Sequence, residues 1–357
     1  TEDYIVLKRL AAEYDLGMAY YYLGCLLYDK RVYGEAVADY EKAALKYPEF
    51  PTVHRNLALA YYNVKKQPQR AYEELTKAFA LDETDARVYL ELDQLKKRLN
   101  ISMKERLSDM DKHFVLVKSR DDLYLEYVTL MNTLGENAKA LVLIEARQFH
   151  QWEGGEGKVA AQYLTALHQL AKAAVVKGDY AEAKSLLLRA VGEYPHNLGE
   201  GKLESAQENN LYYLLGLVQE KLGETEDTLD CLTKACHGES EPVGMMYYND
   251  QPPEMIYYQG LAYRKLGDEE QAVQRFCKLV DYGKEHIGDE IKIDYFAVSL
   301  PDLLIFEENL NERNRKHCLF MMSLGLRGLG QTDEAKACAE ELLSMDNAHQ
   351  GIRVHDL

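Results

Sequence analysis

The sequence predicts an all-α fold, a solenoid built from stacked helical hairpins. Three observations carry this. First, the stretch from Gly17 to Pro48 alternates large and small residues at helical spacing on both sides of a break near Lys30 to Gly34. Second, the same pattern returns downstream at a spacing near 34 residues. Third, proline is scarce at 8 and tyrosine abundant at 27, as suits helices packed through amphipathic rings. Within the first unit, counted from Gly17, Tyr20, Leu23, Gly24 and Leu27 fall on the first helix, and Ala36, Tyr40 and Ala43 on the second. Gly24 and Ala36 are small enough to let the two helices touch. One hairpin cannot bury its own apolar face, so the copies must stack.

Residues 1–16 read as the trailing helix of a preceding unit, with Leu7, Leu10 and Ala11 as its stripe. Repeats then start at Gly17, Pro51, Asp85, Arg120, Leu164, Asn209, Pro253 and Lys316, at spacings of 34, 34, 35, 44, 45, 44 and 63 residues. The second carries Leu57, Ala58, Tyr61, Ala71, Leu75 and Ala78. The third is weaker: Arg87–Leu99 is a clear helix, and Met103–Phe114 lacks the small residues. Leu167, Ala171, Ala183, Leu187 and Ala190 mark the fifth, Leu215, Gly216 and Leu232 the sixth, Gly260, Ala272 and Phe276 the seventh, and Leu319, Gly330 and Leu342 the eighth. The sequence predicts a single solenoid over residues 1–357, with regular repeats in 1–149, insertion-bearing repeats in 150–315 and a last repeat with its tail in 316–357. Three successive joints gain about ten residues each, and equivalent insertions in a solenoid emerge on one edge. Residues 150–163, 196–208 and 238–252 are therefore expected side by side, with a further insertion over roughly 284–315.

Composition excludes several function classes. The formal net charge is −17, which repels phosphate, and nucleic-acid binding would need a local basic stripe. The longest basic cluster, Lys96-Lys97-Arg98, reads as a solvated helix end. No apolar run is long enough to span a bilayer, and no signal peptide is visible; the expected compartment is cytoplasmic. The chain begins with Thr rather than Met, so an upstream part is expected to have been removed. None of the 6 cysteines forms a C-x-x-C pair, and they read as reduced, small core residues. No G-x-S-x-G, Cys–His pairing or P-loop occurs. No catalytic residue, cofactor or metal ligand is assigned; His150, His168, His196 and His237 recur near one edge, and most of them read as solvated or helix-end histidines.

The insertions hold the candidate binding residues. The first reads HQWEGGEGKV and the second HNLGEGKLESAQENN, so Gly-Glu-Gly-Lys occurs at 155–158 and at 199–202. These are expected to form turns of similar backbone shape, with glycine supplying positive φ and glutamate suiting a helix start. Trp152 is either an anchor against its own solenoid or a platform for a ligand. The expected patch holds Trp152, Glu153, Glu156, Lys158, Glu200, Lys202, Glu208 and Tyr248. Glu153, Glu156, Glu200 and Glu208 could bring two carboxyls to the spacing of glycoside hydrolysis, but among 59 acidic residues chance neighbours are expected. The fourth insertion alternates over Ile291–Phe296 and reads as helical after Pro301, with a short extended piece that could close the groove.

The 34-residue hairpin resembles the tetratricopeptide repeat (TPR), whose superhelix is right-handed. The resemblance implies that positions 2, 5, 9 and 12 of each first helix face an inner groove. These include Tyr21, Arg55, Tyr213, Tyr257 and Arg264, together with Tyr28, Tyr62 and Tyr89. The family's clamp for C-terminal carboxylates pairs Lys at position 5 with Asn at 9; here position 9 is never Asn, which argues against that receptor. More narrowly, HQWEGGEGKV, NLGEGKLESAQENN and DYFAVSLPDLLIFEENLNERNR look like the C-terminal TPR half of large bacterial proteins carrying an N-terminal β-rich domain of unknown function. That implies a link to carbohydrate metabolism. The expected function is a non-catalytic scaffold for a protein or peptide, or for its own missing N-terminal β-rich domain. The alternative is a carbohydrate-binding or glycan-processing module at the insertion edge. With no capping helix evident after Gln350, Leu342, Leu343 and Met345 are expected to lie open and to drive weak self-association.

Overall fold

The computed structural model describes residues 2–152, 154–203, 206–244, 250–292 and 305–355. It is all-α, with nineteen α-helices and no strand among the described residues. The chain divides into two compact units. Unit 1 comprises residues 1–101, 111–123 and 300–308; unit 2 comprises 102–110, 124–299 and 309–357.

In unit 1, α1 (Glu2–Tyr14) leads into the hairpins α2 (Gly17–Asp29)/α3 (Tyr33–Lys46) and α4 (Pro51–Asn63)/α5 (Pro68–Leu81), followed by α6 (Ala86–Arg98). Proline opens α4 and α5, where its missing N–H costs nothing, and the Asp85 carboxylate caps α6 by accepting from the Arg87 and Val88 N–H groups. The small positions act as expected. A Cβ on Gly24 would lie 2.5 Å from the Tyr40 ring, and Ala36 and Ala71 are fully buried. The weak third repeat ends in a shorter helix, α7 (Met103–Lys112), followed by the single turn α8 (Phe114–Val117), rather than one helix to Phe114.

Unit 2 continues after α9 (Asp121–Thr133) with α10 (Asn137–Glu145), α11 (Lys158–Lys177), α12 (Tyr180–Val191), α13 (Asn209–Leu222), α14 (Thr225–Cys236), α15 (Pro253–Leu266), α16 (Glu269–His286), α17 (Leu310–Gly328), α18 (Thr332–Met345) and α19 (Gln350–Val354). Gly216 lies on Leu232 and Gly260 on Phe276, repeating the Gly24 contact. Two first helices start six residues earlier than the repeat spacing predicts, α11 at Lys158 and α17 at Leu310. Val159, Ala160 and Tyr163 extend the buried stripe of α11 backwards, and the Asn309 side chain caps α17. The insertions are shorter by that much. Residues 305–309 are not helical and the next described helix begins at Leu310; residues 301–304, where the helix after Pro301 was expected to start, and most of Ile291–Phe296 lie outside the described residues.

The C-terminal end corrects another expectation. Helix α19 closes the last hairpin: Ile352 and Val354 are buried, and Leu342 is fully so. Leu343 and Met345 pack partly buried against the same cluster. The Gln169 side-chain amide and the Lys172 ammonium donate to the Val354 carbonyl at 2.8 and 3.0 Å. The open apolar face on which self-association was expected to rest is covered. The six cysteines are free, and burial pushes the Cys236 and Cys318 thiols up to about 11. No described helix is long and apolar enough to cross a membrane.

Candidate functional site

The insertion edge of unit 2 is assembled by side chains that hydrogen-bond to neighbouring backbone. After α10, the chain runs out through Phe149 and Trp152 before α11 begins. The Asn197 amide donates to the carbonyls of Ile144 and Arg147, both at 2.9 Å, and the Phe149 N–H donates to the Asn197 carbonyl at 2.8 Å. This stitches the second insertion to the first. Gly199 sits at φ +77 where a Cβ would lie 2.7 Å from the Phe149 carbonyl oxygen, so both conformation and space demand glycine there.

Glu200 then reaches across to the start of α11. Its carboxylate accepts from the Gly157 N–H at 2.7 Å and the Ala160 N–H at 2.9 Å. Gly157 precedes α11 with a left-handed backbone and has no side chain to cap with. A carboxylate from 43 residues away therefore satisfies two of the orphan donors and sits on the positive end of the helix dipole. The two Gly-Glu-Gly-Lys copies consequently differ in shape. In the first, the third residue (Gly157) has positive φ and leads into α11; in the second, the first residue (Gly199) has positive φ and ends the short turn His196–Leu198. The copies meet as helix start and cap, and the expectation of matching turns is corrected.

Trp152 is half-buried and lies flat against Gly155, leaving no room for a Cβ there. With His150, Gln151, Glu156, Val159, Leu198 and Glu200 it lines a cleft of about 290 Å³. Glu156 and Lys158 are exposed beside it. Lys202 turns away from the cleft: its ammonium donates to the Val191 carbonyl at 2.6 Å and pairs at 2.8 Å with buried Glu208. Burial raises the Glu208 carboxyl, against the pull of Lys202. Burial also pushes the Tyr194 hydroxyl up to about 12, with Glu208 and Glu200 adding to it. The Asn209 amide ties the next joint in the same way, donating to the carbonyls of Ala235 and His237 at 2.9 and 2.7 Å, and a Cβ on Gly238, at the start of the third insertion, would lie 2.6 Å from the Gln207 side-chain oxygen of the second. Glu153 and Tyr248 lie outside the described residues.

On the first-helix faces, the residues singled out by repeat position are engaged internally. In unit 1, Arg55 grips fully buried Glu91 with two hydrogen bonds of 2.6 Å. Tyr21 packs edge-on against Tyr22 and Phe50, and burial pushes its hydroxyl up to about 12. In unit 2, Tyr257 is buried against Tyr258 and Phe276, and Tyr213 packs partly buried on the same cluster. Arg264 donates to Glu269 and to the Gly328 carbonyl, the latter at 2.7 Å.

A second surface in unit 1 went unseen in the sequence. Residues 305–308 cross the C-terminal ends of α4 and α6. Phe306 is 1% exposed; its ring meets Tyr62 edge-on at 5.0 Å, and the Arg98 guanidinium lies 5.6 Å from its centroid. The Asn63 amide brackets it, donating to the Ile305 carbonyl at 2.8 Å and accepting from the Glu307 N–H at 2.9 Å. Arg98 donates to the Phe306 carbonyl at 3.3 Å, and Lys66 pairs with Glu307 at 2.6 Å. Tyr62, expected on the inner groove, and the basic end of α6, read as a solvated helix terminus, were the local signals of this site; the partner of Arg98 lies more than 200 residues away.

Chemically, the edge offers one aromatic wall and exposed charge, with Glu200 committed to a helix cap. The unit 1 face offers paired donor and acceptor groups for extended backbone. Among the described residues, no three His, Cys, Asp or Glu side chains converge as metal ligands would.

Tetratricopeptide-repeat family models match residues 21–86, 165–197, 254–282 and 317–349, and these segments are similar to tetratricopeptide repeats. Among solved structures, the chain is similar to a tetratricopeptide repeat protein from Parabacteroides merdae, at 14% identity and TM-score 0.41, covering 78% of this chain and 92% of that one. It is also similar to the MamA protein, at 20% identity and TM-score 0.35 over 49% and 90% of the two chains. For PilW, described as a type IV pilus biogenesis factor, the values are 16% and 0.32 over 61% and 91%.

Proposed function

We propose that this tetratricopeptide-repeat chain is a non-catalytic scaffold that binds partner proteins through extended segments laid on its hairpin faces, with the Trp152 cleft as a second contact. The observation that carries the reading is the Asn63 bracket. One side-chain amide satisfies a carbonyl and an N–H of the same extended backbone, 305 and 307. Such contacts recognise chain conformation first and side chains second, as in peptide recognition by main-chain pairing. A domain of the same polypeptide would be recognised by the same chemistry as a separate protein. The Trp152 cleft sustains a second reading, a carbohydrate-binding module, because an aromatic wall beside an exposed carboxylate suits the flat face of a sugar ring. Screening the immobilised chain against a displayed peptide library and a glycan array separates the two. The scaffold reading predicts enriched peptides and a blank array; glycan binding lost in Trp152→Ala, with no enriched peptide, would overturn it.

A further inference from the structure

We propose that the α4–α6 face of unit 1 is a receptor for an extended peptide in which an aromatic residue is followed by acidic ones, and that residues 305–308 occupy it in cis as a resident competitor. The inference rests on the scaffold reading and adds the ligand's chemistry and its regulation.

Three features point to a receptor rather than ordinary packing. The segment is held by polar groups at the ends of α4 and α6: Asn63 to two backbone positions, Arg98 to a third, and Lys66 to a side chain. Its anchor is a single aromatic ring, fully enclosed. Charge is complementary as well. The chain carries a net charge of −17, yet here Lys66 pairs with Glu307 and Arg98, at the basic end of α6, donates to the Phe306 carbonyl. Sequence neighbours 309–357 belong to unit 2, whereas 300–308 belong to unit 1, so the segment is an excursion onto this face. The Lys66–Glu307 pair is exposed on both sides, and among the described contacts one enclosed ring and a few hydrogen bonds hold the segment. Segments of this kind open locally without global unfolding. A partner displaying the same pattern would displace it.

The test is fluorescence polarisation with a labelled peptide spanning residues 303–310, titrated into the full chain, its Phe306→Ser variant, and Phe306→Ser combined with Asn63→Ala. The expected result is binding to Phe306→Ser at least tenfold tighter than to the parent, and at least tenfold weaker again once Asn63 is lost. A peptide with Ala at the Phe306 position should not bind, and Lys66→Glu should favour a peptide carrying Lys in place of Glu307. Equal binding by parent and Phe306→Ser, or no binding by a folded Phe306→Ser chain, overturns the receptor. Where Phe306→Ser does not fold, amide exchange in the parent decides. Exchange of the Glu307 N–H well ahead of the α4 amides, and faster still with excess peptide, supports displacement. Exchange only with global unfolding makes the segment a fixed part of unit 1 and overturns the proposal. Peptides enriched by library screening that map to another face would remove this receptor while leaving the scaffold intact.

Discussion

At the scale of single residues, much of the polar chemistry is spent on backbone. Glu200 and Asn197 hold the insertion edge together, and Asn63 holds residue 305 and residue 307. Replacing Glu200 with Ala should cost about 1 kcal/mol, the usual worth of a helix cap, read as a lower melting temperature with unchanged helicity. Burial lowers His168 to about 3 and His317 to about 4, and drives His355 well below its ordinary value. Below pH 6.5 the unfolded chain takes up protons that the folded chain refuses, so stability is full above 6.5 and falls with pH. Glu254 opposes this. Burial raises it to about 7, so its contribution is lost as pH rises from about 4.5 through 7. Glu208 and Asp39, also raised by burial, act in the same sense as Glu254; the three histidines outweigh them, and melting temperature should fall between pH 6.5 and 4.5. The His168→Gln variant should fall less steeply, by about 1.4 kcal/mol per pH unit; parallel profiles would show that His168 is charged in the fold.

At the scale of elements, the hairpins were legible because two helices can touch only where a side chain is missing. Gly24, Gly216 and Gly260 each meet a large residue of the partner helix, and the spacing of such small residues is printed in the sequence. Gly216→Leu should therefore wedge α13 from α14 and cost roughly 1–3 kcal/mol or more. A melt that overlays the parent would show the contact to be dispensable. Insertion lengths were less legible. A first helix continues backward wherever its apolar stripe continues, as Val159, Ala160 and Tyr163 do in α11, and a repeat template does not contain that extension. Glu200 as cap for α11 and residues 305–308 against Asn63 were illegible for a simpler reason. Each joins residues far apart in sequence, by 43 and by more than 240 positions, and no local periodicity encodes such pairs. Trp152 was visible as an isolated loop aromatic; that its ring lies on Gly155 was not.

At the scale of the molecule, each unit covers exposed repeat surface with a segment of its own chain. In unit 2 the tail buries Ile352 and Val354, and Gln350 bonds to Gln162 and Thr133 at about 3 Å. A chain ending at His349 should lose on the order of 3 kcal/mol from those two side chains and should associate through the uncovered face, as sedimentation would register; a monomer of parental stability would contradict the packing. The central claim is that hairpin faces receive extended protein segments. Its most direct test is amide hydrogen exchange of the whole chain with and without the tightest peptide from the display screen. The account predicts new protection concentrated at the C-terminal ends of α4 and α6, with deprotection of residues 305–308. Protection confined to surfaces away from the first-helix faces and the Trp152 cleft, or none at saturating peptide, would contradict it.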